Sequence, residues 1–296
     1  MNRQRPGIPP PGFRLPDSAH VGAVRYQVAD LGRSLWFYQE LVGLHLIDRE
    51  DGASPRARLG AAGGVPVLLE LVQKKGARAM PARGRLGLYH SALLLPTRTG
   101  LGSFVRHLDK TGYPVASADH LISEALYLRD PDGLTLEVYA DRPREAWTVR
   151  DGEIVATIDP LDMDSLRKAG AEDRWSGVPV GSTIGHVHFF VGDLEQAAAF
   201  YHQGLGLDKV MWSLPGALFL SAGGYHHHVG TNTWAAGAPV AADQDVRLLE
   251  WELVVPNEAS VDAVAASLNR AGIHVNAAGQ VTAEDPWGIT VKIRGS

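Results

Sequence analysis

Alternating apolar and polar residues predict a strand at the end of the segment YLRDPDGLTLEVY, residues 127–139. Leu134, Leu136 and Val138 alternate with other residues, among them Glu137. The preceding DPDG is typical of a tight turn, because Pro presets φ and Gly adopts conformations that other residues avoid. The pattern therefore predicts strand, turn, strand, with Glu137 on the face opposite the apolar residues. A carboxylate that points inward needs a cation or hydrogen-bond donors; the alternative is an outward-facing, solvated Glu137.

A longer pattern repeats four times along the chain: an apolar β-like run, an amphipathic helix and further short strands. The first and third segments, which start near Val21 and Ile184, align without a gap. In each, an Asp predicts the helix N-cap and a Gly ends a helix of about three turns. The aligned pairs are Asp30-Leu31 with Asp193-Leu194, Phe37-Tyr38 with Phe200-Tyr201, and Gly43-Leu44 with Gly206-Leu207.

The second and fourth segments form another pair. They begin with LYHSALLLP from Leu88 and LLEWELVVP from Leu248, and each continues into a helix that ends near a Gly. Both then reach a D-P-x-G turn, at Asp130 and at Asp285. The order of the four units is therefore odd, even, odd, even.

Composition and charge narrow the classes of protein. The 296 residues contain no Cys, so disulfides, thiolate catalysis and zinc–thiolate sites are excluded, and any metal must use Asp, Glu or the 12 His. A net charge of -5 gives no electrostatic case for nucleic acid or an anionic membrane. We find no apolar run of about 18 residues and expect no membrane span. Residues 1–20 form a Pro-rich arm without the apolar core of a signal peptide, so we expect a cytoplasmic protein.

The repeated unit, with its D-P-x-G turn and a Glu in the strand that follows, resembles the vicinal oxygen chelate superfamily of glyoxalases, bleomycin-resistance proteins and extradiol dioxygenases. The phrases GLYH, EALYLRDPDG, YADRP, GHVH and SAGGYHHHVG carry this resemblance over roughly residues 21–293. It implies an α+β fold in which four β-α-β-β-β units form two curled, cup-shaped mixed sheets flanked by helices. We place units one and two at residues 21–140, a crossover linker at 141–183, and units three and four at 184–296.

In this superfamily, metal ligands come from the first and last strands of paired units. His90 and His186 stand at the first-strand positions of units two and three, and Glu137 stands at the last-strand position of unit two. Two His and one carboxylate suit non-haem Fe(II), because they leave positions open for substrate and oxygen; Mn(II) fits the same ligands. This set predicts that units two and three pair. The alternative pairs units one and two, and adds Glu70 to His90 and Glu137 as in a glyoxalase-like site.

The remaining repeat positions differ from that set. In unit three, His188 shares the face of His186, and His228 is expected opposite the position that Glu137 holds in unit two. In unit four, Glu250 and Lys292 replace the expected His and Glu. Unit four is therefore predicted to bind no metal.

The resemblance also implies three catalytic side chains. Tyr127 lies ten positions before Glu137, where extradiol enzymes place a Tyr that contacts substrate, and His120 lies in the preceding loop. His227 is assigned as the acid–base residue, because imidazole titrates near neutral pH. Three adjacent His on a strand would alternate faces, which leaves open whether His226, His227 or His228 has this role. The structural alternatives are a Tyr packed in the sheet, an exposed loop His and a His-rich surface strand.

The resemblance is strongest to catechol 2,3-type extradiol dioxygenases. It implies that Fe(II) chelates a catechol or substituted catechol, that O2 cleaves the ring, and that the product is a muconic semialdehyde. We expect a homo-oligomer whose partners are the small aromatic diol and O2. Two other functions stay open: a glyoxalase-like metal-dependent isomerase or lyase, and a non-catalytic binding protein of the bleomycin-resistance type.

Overall fold

Four β-α-β-β-β units follow one another along the chain. A computed structural model describes residues 5–81 and 84–296. Units one and two comprise β1 (His20–Val28), α1 (Leu31–Leu35), β2 (His45–Glu50), β3 (Arg56–Gly60), β4 (Val67–Gln73), β5 (Gly87–Leu94), α2 (Arg98–Thr111), β6 (Ala116–Asp119), β7 (Ser123–Arg129) and β8 (Thr135–Asp141). The crossover contains a 3-10 turn (Arg144–Ala146), β9 (Val149–Arg150), β10 (Glu153–Ile154) and α3 (Met163–Ala169). Units three and four comprise β11 (Thr183–Phe190), α4 (Leu194–Ala197), β12 (Asp208–Met211), β13 (Ala217–Ser221), β14 (Val229–Asn232), β15 (Arg247–Val255), α5 (Glu258–Arg270), β16 (Val275–Asn276), β17 (Val281–Glu284) and β18 (Thr290–Gly295).

The strands form two eight-stranded mixed sheets. One has the order β12-β13-β14-β11-β5-β8-β7-β6 and the other β16-β17-β18-β15-β1-β4-β3-β2. Units two and three therefore share one sheet, and units one and four share the other. This confirms the predicted pairing and excludes the alternative in which units one and two pair. The division of the chain into domains around residues 141–183 stays a prediction, since strand order reports pairing and not independent folding.

The helices of the odd units begin as predicted but continue differently. Asp30 and Asp193 cap the first turns by accepting hydrogen bonds from the backbone N–H groups of Arg33 and Gln196. After one turn of α-helix, each continues as a wider π-helix, Trp36–Leu41 and Ala198–Gly204. The predicted length was right, but the helix type over these segments was not.

The π-helices join sequence-adjacent units that lie in different sheets. Tyr38 donates from its hydroxyl to Asp130 in the D-P-x-G turn of unit two at 3.2 Å, and Tyr201 donates to Asp285 in unit four at 2.8 Å. Both carboxylates are almost fully buried, and each also accepts two backbone N–H groups of its own turn. Each turn is therefore held by one tyrosine of the unit before it.

The chain segment before β1 is pinned along the edge of the sheet of units two and three. Ile8 bridges to Lys209 on β12, and Leu15 is buried. Arg14 makes a two-pronged ion pair with buried Asp208, with N–O distances of 2.7 and 2.8 Å. The described part of the N-terminal arm thus covers an edge strand that would otherwise expose unpaired backbone groups.

Candidate metal centre

His90, Glu137 and His186 meet on one face of the sheet formed by units two and three. β5 lies at the centre of this sheet, parallel to β8 and antiparallel to β11, so these strands bring the three side chains together. The Nε2 atoms of His90 and His186 lie 3.0 and 3.3 Å from the same oxygen, Oε2 of Glu137. All three side chains are at least 96% buried. Their geometry provides a compact site for one metal ion.

The charge balance of this cluster favours a bound cation. Burial alone would raise the pKa of Glu137, but the facing imidazoles of His186 and His90 hold it well below its usual range. Burial lowers the pKa of His186 to about 4 despite the carboxylate beside it. At neutral pH the cluster is therefore a buried carboxylate facing an uncharged His186, and a divalent ion fits that set. The Nδ1 atoms of both imidazoles have no partner in the described ranges, so their Nε2 atoms alone meet polar groups.

Unit three has no carboxylate at the position that matches Glu137 of unit two. Glu137 pairs with Ala92, two residues after His90, whereas the matching residue of unit three, His188, pairs with Gly230. A Cβ atom on Gly230 would lie 2.9–3.0 Å from the ring of His188. The imidazole thus fills the space that a side chain at position 230 would need. The prediction that His228 stands at this position was wrong, because residues 225–228 are irregular and β14 starts only at Val229.

The hydrogen bonds around His188 determine which of its ring nitrogens carries the proton. The backbone N–H of Trp234 donates to Oδ1 of Asn232, so the amide nitrogen of Asn232 faces Nε2 of His188 at 3.0 Å. Nε2 must then accept, and Nδ1 carries the proton. Burial lowers the pKa of His188 well below its usual range, so the ring is neutral. The sequence indicated only that His188 shares a face with His186.

Tyr127 and His120 lie beside the three-residue cluster and contact each other. Nδ1 of His120 is 2.6 Å from the backbone carbonyl of Thr157, and its Nε2 is 2.8 Å from the Tyr127 hydroxyl. Because a carbonyl only accepts, a neutral His120 donates from Nδ1 and accepts the Tyr127 proton at Nε2. Burial, and then the charge of Glu137, raise the pKa of Tyr127 well above its usual value, which keeps the phenol protonated.

The three adjacent His have separate surroundings. His227 borders the cavity described below, and its ring centroid is 4.0 Å from that of His186. Nδ1 of His227 meets Nδ1 of His226 at 2.7 Å, and Nε2 of His226 meets Asp141 at 2.9 Å. With His226 neutral, its Nε2 donates to Asp141 and its Nδ1 accepts from His227, which leaves a lone pair on Nε2 of His227. His228 instead accepts from the backbone of Ala222.

This arrangement corrects two expectations. The three His do not alternate along a strand, since no strand includes them. Asp141 was also missed as a partner, although it is the last residue of the strand that carries Glu137 and belongs to the phrase YADRP. Its side chain orients His226, and through it His227.

A cavity of about 1290 Å³ opens above the cluster. Trp212 and Trp234 line it, whereas the neighbouring aromatic residues Phe189 and Tyr225 do not. Phe189 packs in the main core, and Tyr225 binds the hydroxyl of Tyr139 at 2.7 Å. The other residues that line the cavity come from β5 to β8, β11 to β13 and the crossover.

The corresponding face of the other sheet holds ion pairs. Arg25 lies 3.5 Å from Glu70 and 3.9 Å from Glu250, while Glu252 pairs with Lys292 at 3.2 Å. Arg and Lys side chains neutralise the carboxylates here, so a metal would have to displace them. Glu70 lies on β4, in a different sheet from His90 and Glu137, so it cannot join them as a ligand.

The comparisons with known proteins agree with this fold. The model of the Glyoxalase/Bleomycin resistance protein/Dioxygenase superfamily matches residues 19–138 and 183–293. This chain belongs to that superfamily. It is 39% identical over 262 residues to a protein of Bacillus subtilis (strain 168) named catechol-2,3-dioxygenase, covering 88% of this chain and 90% of that protein.

Solved structures share the fold at low sequence identity. A putative dioxygenase from Bacillus subtilis subsp. subtilis str. 168 superimposes with a TM-score of 0.64 at 13% identity, over 96% of this chain and 86% of that one. Glyoxalase I from Zea mays gives a TM-score of 0.57 at 18% identity, over 93% and 92%. In the ranges 5–81 and 84–296, the structure contains no helix with the length and apolarity of a membrane span.

Proposed function

We propose that this protein is an extradiol ring-cleaving dioxygenase that uses Fe(II) to convert catechol or a substituted catechol into a muconic semialdehyde. The observation that supports this most directly is the set of two imidazoles and one carboxylate with Gly230 at the position of a second carboxylate. Such a set leaves coordination positions open for a chelating diol and O2. A glyoxalase-like site with a fourth protein ligand would need a donor where Gly230 stands. The identity to a protein named catechol-2,3-dioxygenase supports the same choice.

In this proposal, His90, His186 and Glu137 hold the metal. Bound Fe(II) supplies redox chemistry that lets O2 react with the diol, which the protein alone cannot do. Mn(II) would fit the same ligands, and metal analysis of the purified protein decides between them. Both atoms of O2 are retained in the product when the ring bond beside one hydroxyl-bearing carbon breaks.

Three side chains move protons in this proposal. His227 takes a proton from one diol hydroxyl at Nε2, the nitrogen left with a lone pair, and later returns it to the ring-opening species. Tyr127 accepts a hydrogen bond from the other hydroxyl, while its own proton points to Nε2 of His120. A proton that leaves this second hydroxyl can therefore pass through Tyr127 to His120. Asp141 fixes the tautomer of His226, and through it that of His227, while the carbonyl of Thr157 fixes the tautomer of His120.

The direct test is oxygen uptake with catechol by protein purified without oxygen and loaded with Fe(II). We expect uptake together with a yellow ring-opened product, and a loss of at least about 100-fold in Glu137→Gln, because an amide brings no negative charge to the metal. Glu70→Gln is the matched control, since Glu70 occupies the equivalent strand position in the other sheet. We expect it to keep the metal and the activity.

Two results would refute the proposal. One is the absence of oxygen uptake with catechol and its alkyl relatives despite one bound metal per chain. The other is full activity in Glu137→Gln with metal content unchanged.

A further inference from the structure

The crossover contributes a wall to the cavity. Residues 150–158, which we call the crossover wall, lie between units two and three, and nearly all of them line the space above the metal cluster. Sequence patterns identified this stretch only as a linker. Its position follows from contacts at both of its ends.

One end of the crossover wall is bonded to the two residues that follow the edge strand β12. Oε1 of Glu153 accepts from the backbone N–H groups of Trp212 and Ser213 at 2.5 and 2.6 Å. The carbonyl of Gly152 accepts from the N–H of Gly7 at 2.7 Å. This end is thus fixed beside the end of β12 and to the N-terminal arm.

The other end is bonded to β6, the opposite edge of the same sheet. Asp119 and Asp159 exchange two backbone hydrogen bonds of 2.9 Å, and Thr157 binds His120. The crossover wall therefore spans the sheet from one edge strand to the other. It closes a side of the cavity that the sheet itself leaves open.

The chemistry of this enclosure is apolar. The crossover wall presents Ile154, Val155, Ala156 and Ile158, and residues such as Met211 line the cavity with them. Three charged residues border the cavity from the wall: Arg150 and Asp151 are exposed to solvent, and Glu153 is bonded to two backbone N–H groups. Ile158 and Trp234 also line the cavity and are 64% and 49% exposed, so both present apolar surface that a ligand in the cavity would cover.

The size of the cavity exceeds the need of a single ring. Pockets for drug-sized ligands are roughly 300–1,000 Å³, whereas this one is about 1290 Å³. A bare catechol on the metal cluster would fill only a small part of this volume. We infer that the crossover wall is a specificity-determining surface that receives an extended apolar substituent, alkyl or aryl, on the diol ring. This inference rests on the proposed function.

The test compares oxygen uptake with catechol and with 4-methyl-, 4-butyl- and 4-hexylcatechol. In the wild-type protein we expect kcat/KM to rise by about two- to fourfold for each methylene group that is buried. Ala156→Phe fills the cavity from the crossover wall, so the ratio of kcat/KM for hexylcatechol to that for catechol should fall at least tenfold. Ala146→Phe is the matched control: the same substitution on the exposed 3-10 turn of the crossover, outside the cavity, should leave the ratio unchanged.

A second variant guards against misfolding of Ala156→Phe. The side chain of Ile158 is largely exposed, so Ile158→Ser should fold normally and still lower the ratio several-fold. Equal kcat/KM for catechol and hexylcatechol in the wild type would overturn the inference, and so would an unchanged ratio in both cavity variants.

A binding measurement separates this inference from the proposed function. If no diol supports oxygen uptake, the proposed function fails. Titration of the protein with catechol and with 4-hexylcatechol, followed by the fluorescence of Trp212 and Trp234, then tests the crossover wall alone. Tighter binding of hexylcatechol by at least tenfold, reduced in Ile158→Ser, would uphold it, and equal affinities would overturn it.

Discussion

At the scale of single residues, units two and three differ in which strand carries the larger side chain. Unit two carries it on its last strand, and unit three on its first. Unit two pairs a small residue, Ala92, with a large ligand, Glu137; unit three pairs a large ring, His188, with Gly230. Each pair fills a similar volume across two parallel strands. The exchange leaves one carboxylate in the site and places a neutral N–H donor beside it.

We therefore expect substitutions of His188 and Gly230 to have coupled effects on stability. Gly230→Ala places a methyl group against the imidazole, and we expect it to lower the free energy of unfolding by about 1–3 kcal/mol, as overpacking does. In His188→Ala/Gly230→Ala, the added methyl group has room. The double variant should therefore lose less stability than the sum of the two single variants. Chemical denaturation of all four proteins measures the coupling, and strict additivity would contradict this packing.

The sequence predicted the three residues of the cluster better than their surroundings. His90, Glu137 and His186 stand at positions that the repeats align, and the strands that carry them are regular. His228 was misplaced because it was assigned by counting along an assumed strand, and the irregular residues 225–228 break that count. The tautomers of His188 and His227 depend on Asn232 and Asp141, which only tertiary contacts bring into reach.

At the scale of elements, the π-helices and the D-P-x-G turns form one repeated device. The wider helical turn accompanies the burial of Tyr38 and Tyr201, whose hydroxyls reach the carboxylates of Asp130 and Asp285. Over six or seven residues, hydrophobic periodicity is too short a signal to distinguish an i→i+4 helix from an i→i+5 helix. The N-caps at Asp30 and Asp193 were predictable, since they depend on neighbours three residues away.

This device makes stability depend on pH. Burial raises the pKa of Asp285 to about 6, against an ordinary value of 3.8. A raised carboxyl pKa stabilises the fold below pH 4, and that contribution is lost as pH rises through 6. Asp285→Asn keeps the acceptor oxygen and does not titrate. The stability of the wild type relative to Asp285→Asn should therefore fall between pH 4 and pH 7, by no more than about 3 kcal/mol.

The control for this prediction is Asp262→Asn, which removes an exposed carboxylate on α5. Urea denaturation at several pH values should show a flat difference between this variant and the wild type. A flat difference for Asp285→Asn as well would mean that its carboxyl titrates normally in the fold.

At the scale of the whole molecule, two sheets of the same construction carry different inner faces. One brings together two imidazoles and a carboxylate, and the other pairs Glu70, Glu250 and Glu252 with Arg and Lys side chains. We therefore expect one tightly bound transition metal per chain. Elemental analysis of protein dialysed against Fe(II) or Mn(II) should give a ratio near one, and Glu137→Gln should lower it.

The matched substitution in the other sheet is Glu252→Gln. It should leave the metal content unchanged while it weakens the pairs with Lys292 and Arg294, both partly exposed. A ratio near two in the wild type, reduced by Glu252→Gln, would show that the ion-paired face also binds metal.

The strand order also decides when each half of the molecule can form during synthesis. The sheet that carries His90, Glu137 and His186 is complete once β14 has left the ribosome, because all of its strands lie between β5 and β14. The other sheet opens with β1 and closes only with β15 to β18, so the earliest strands wait for the latest ones. Such distant pairings form slowly and leave strand edges exposed in the meantime. A nascent chain would thus have the sheet of units two and three assembled while unit one still lacks its partner, unit four.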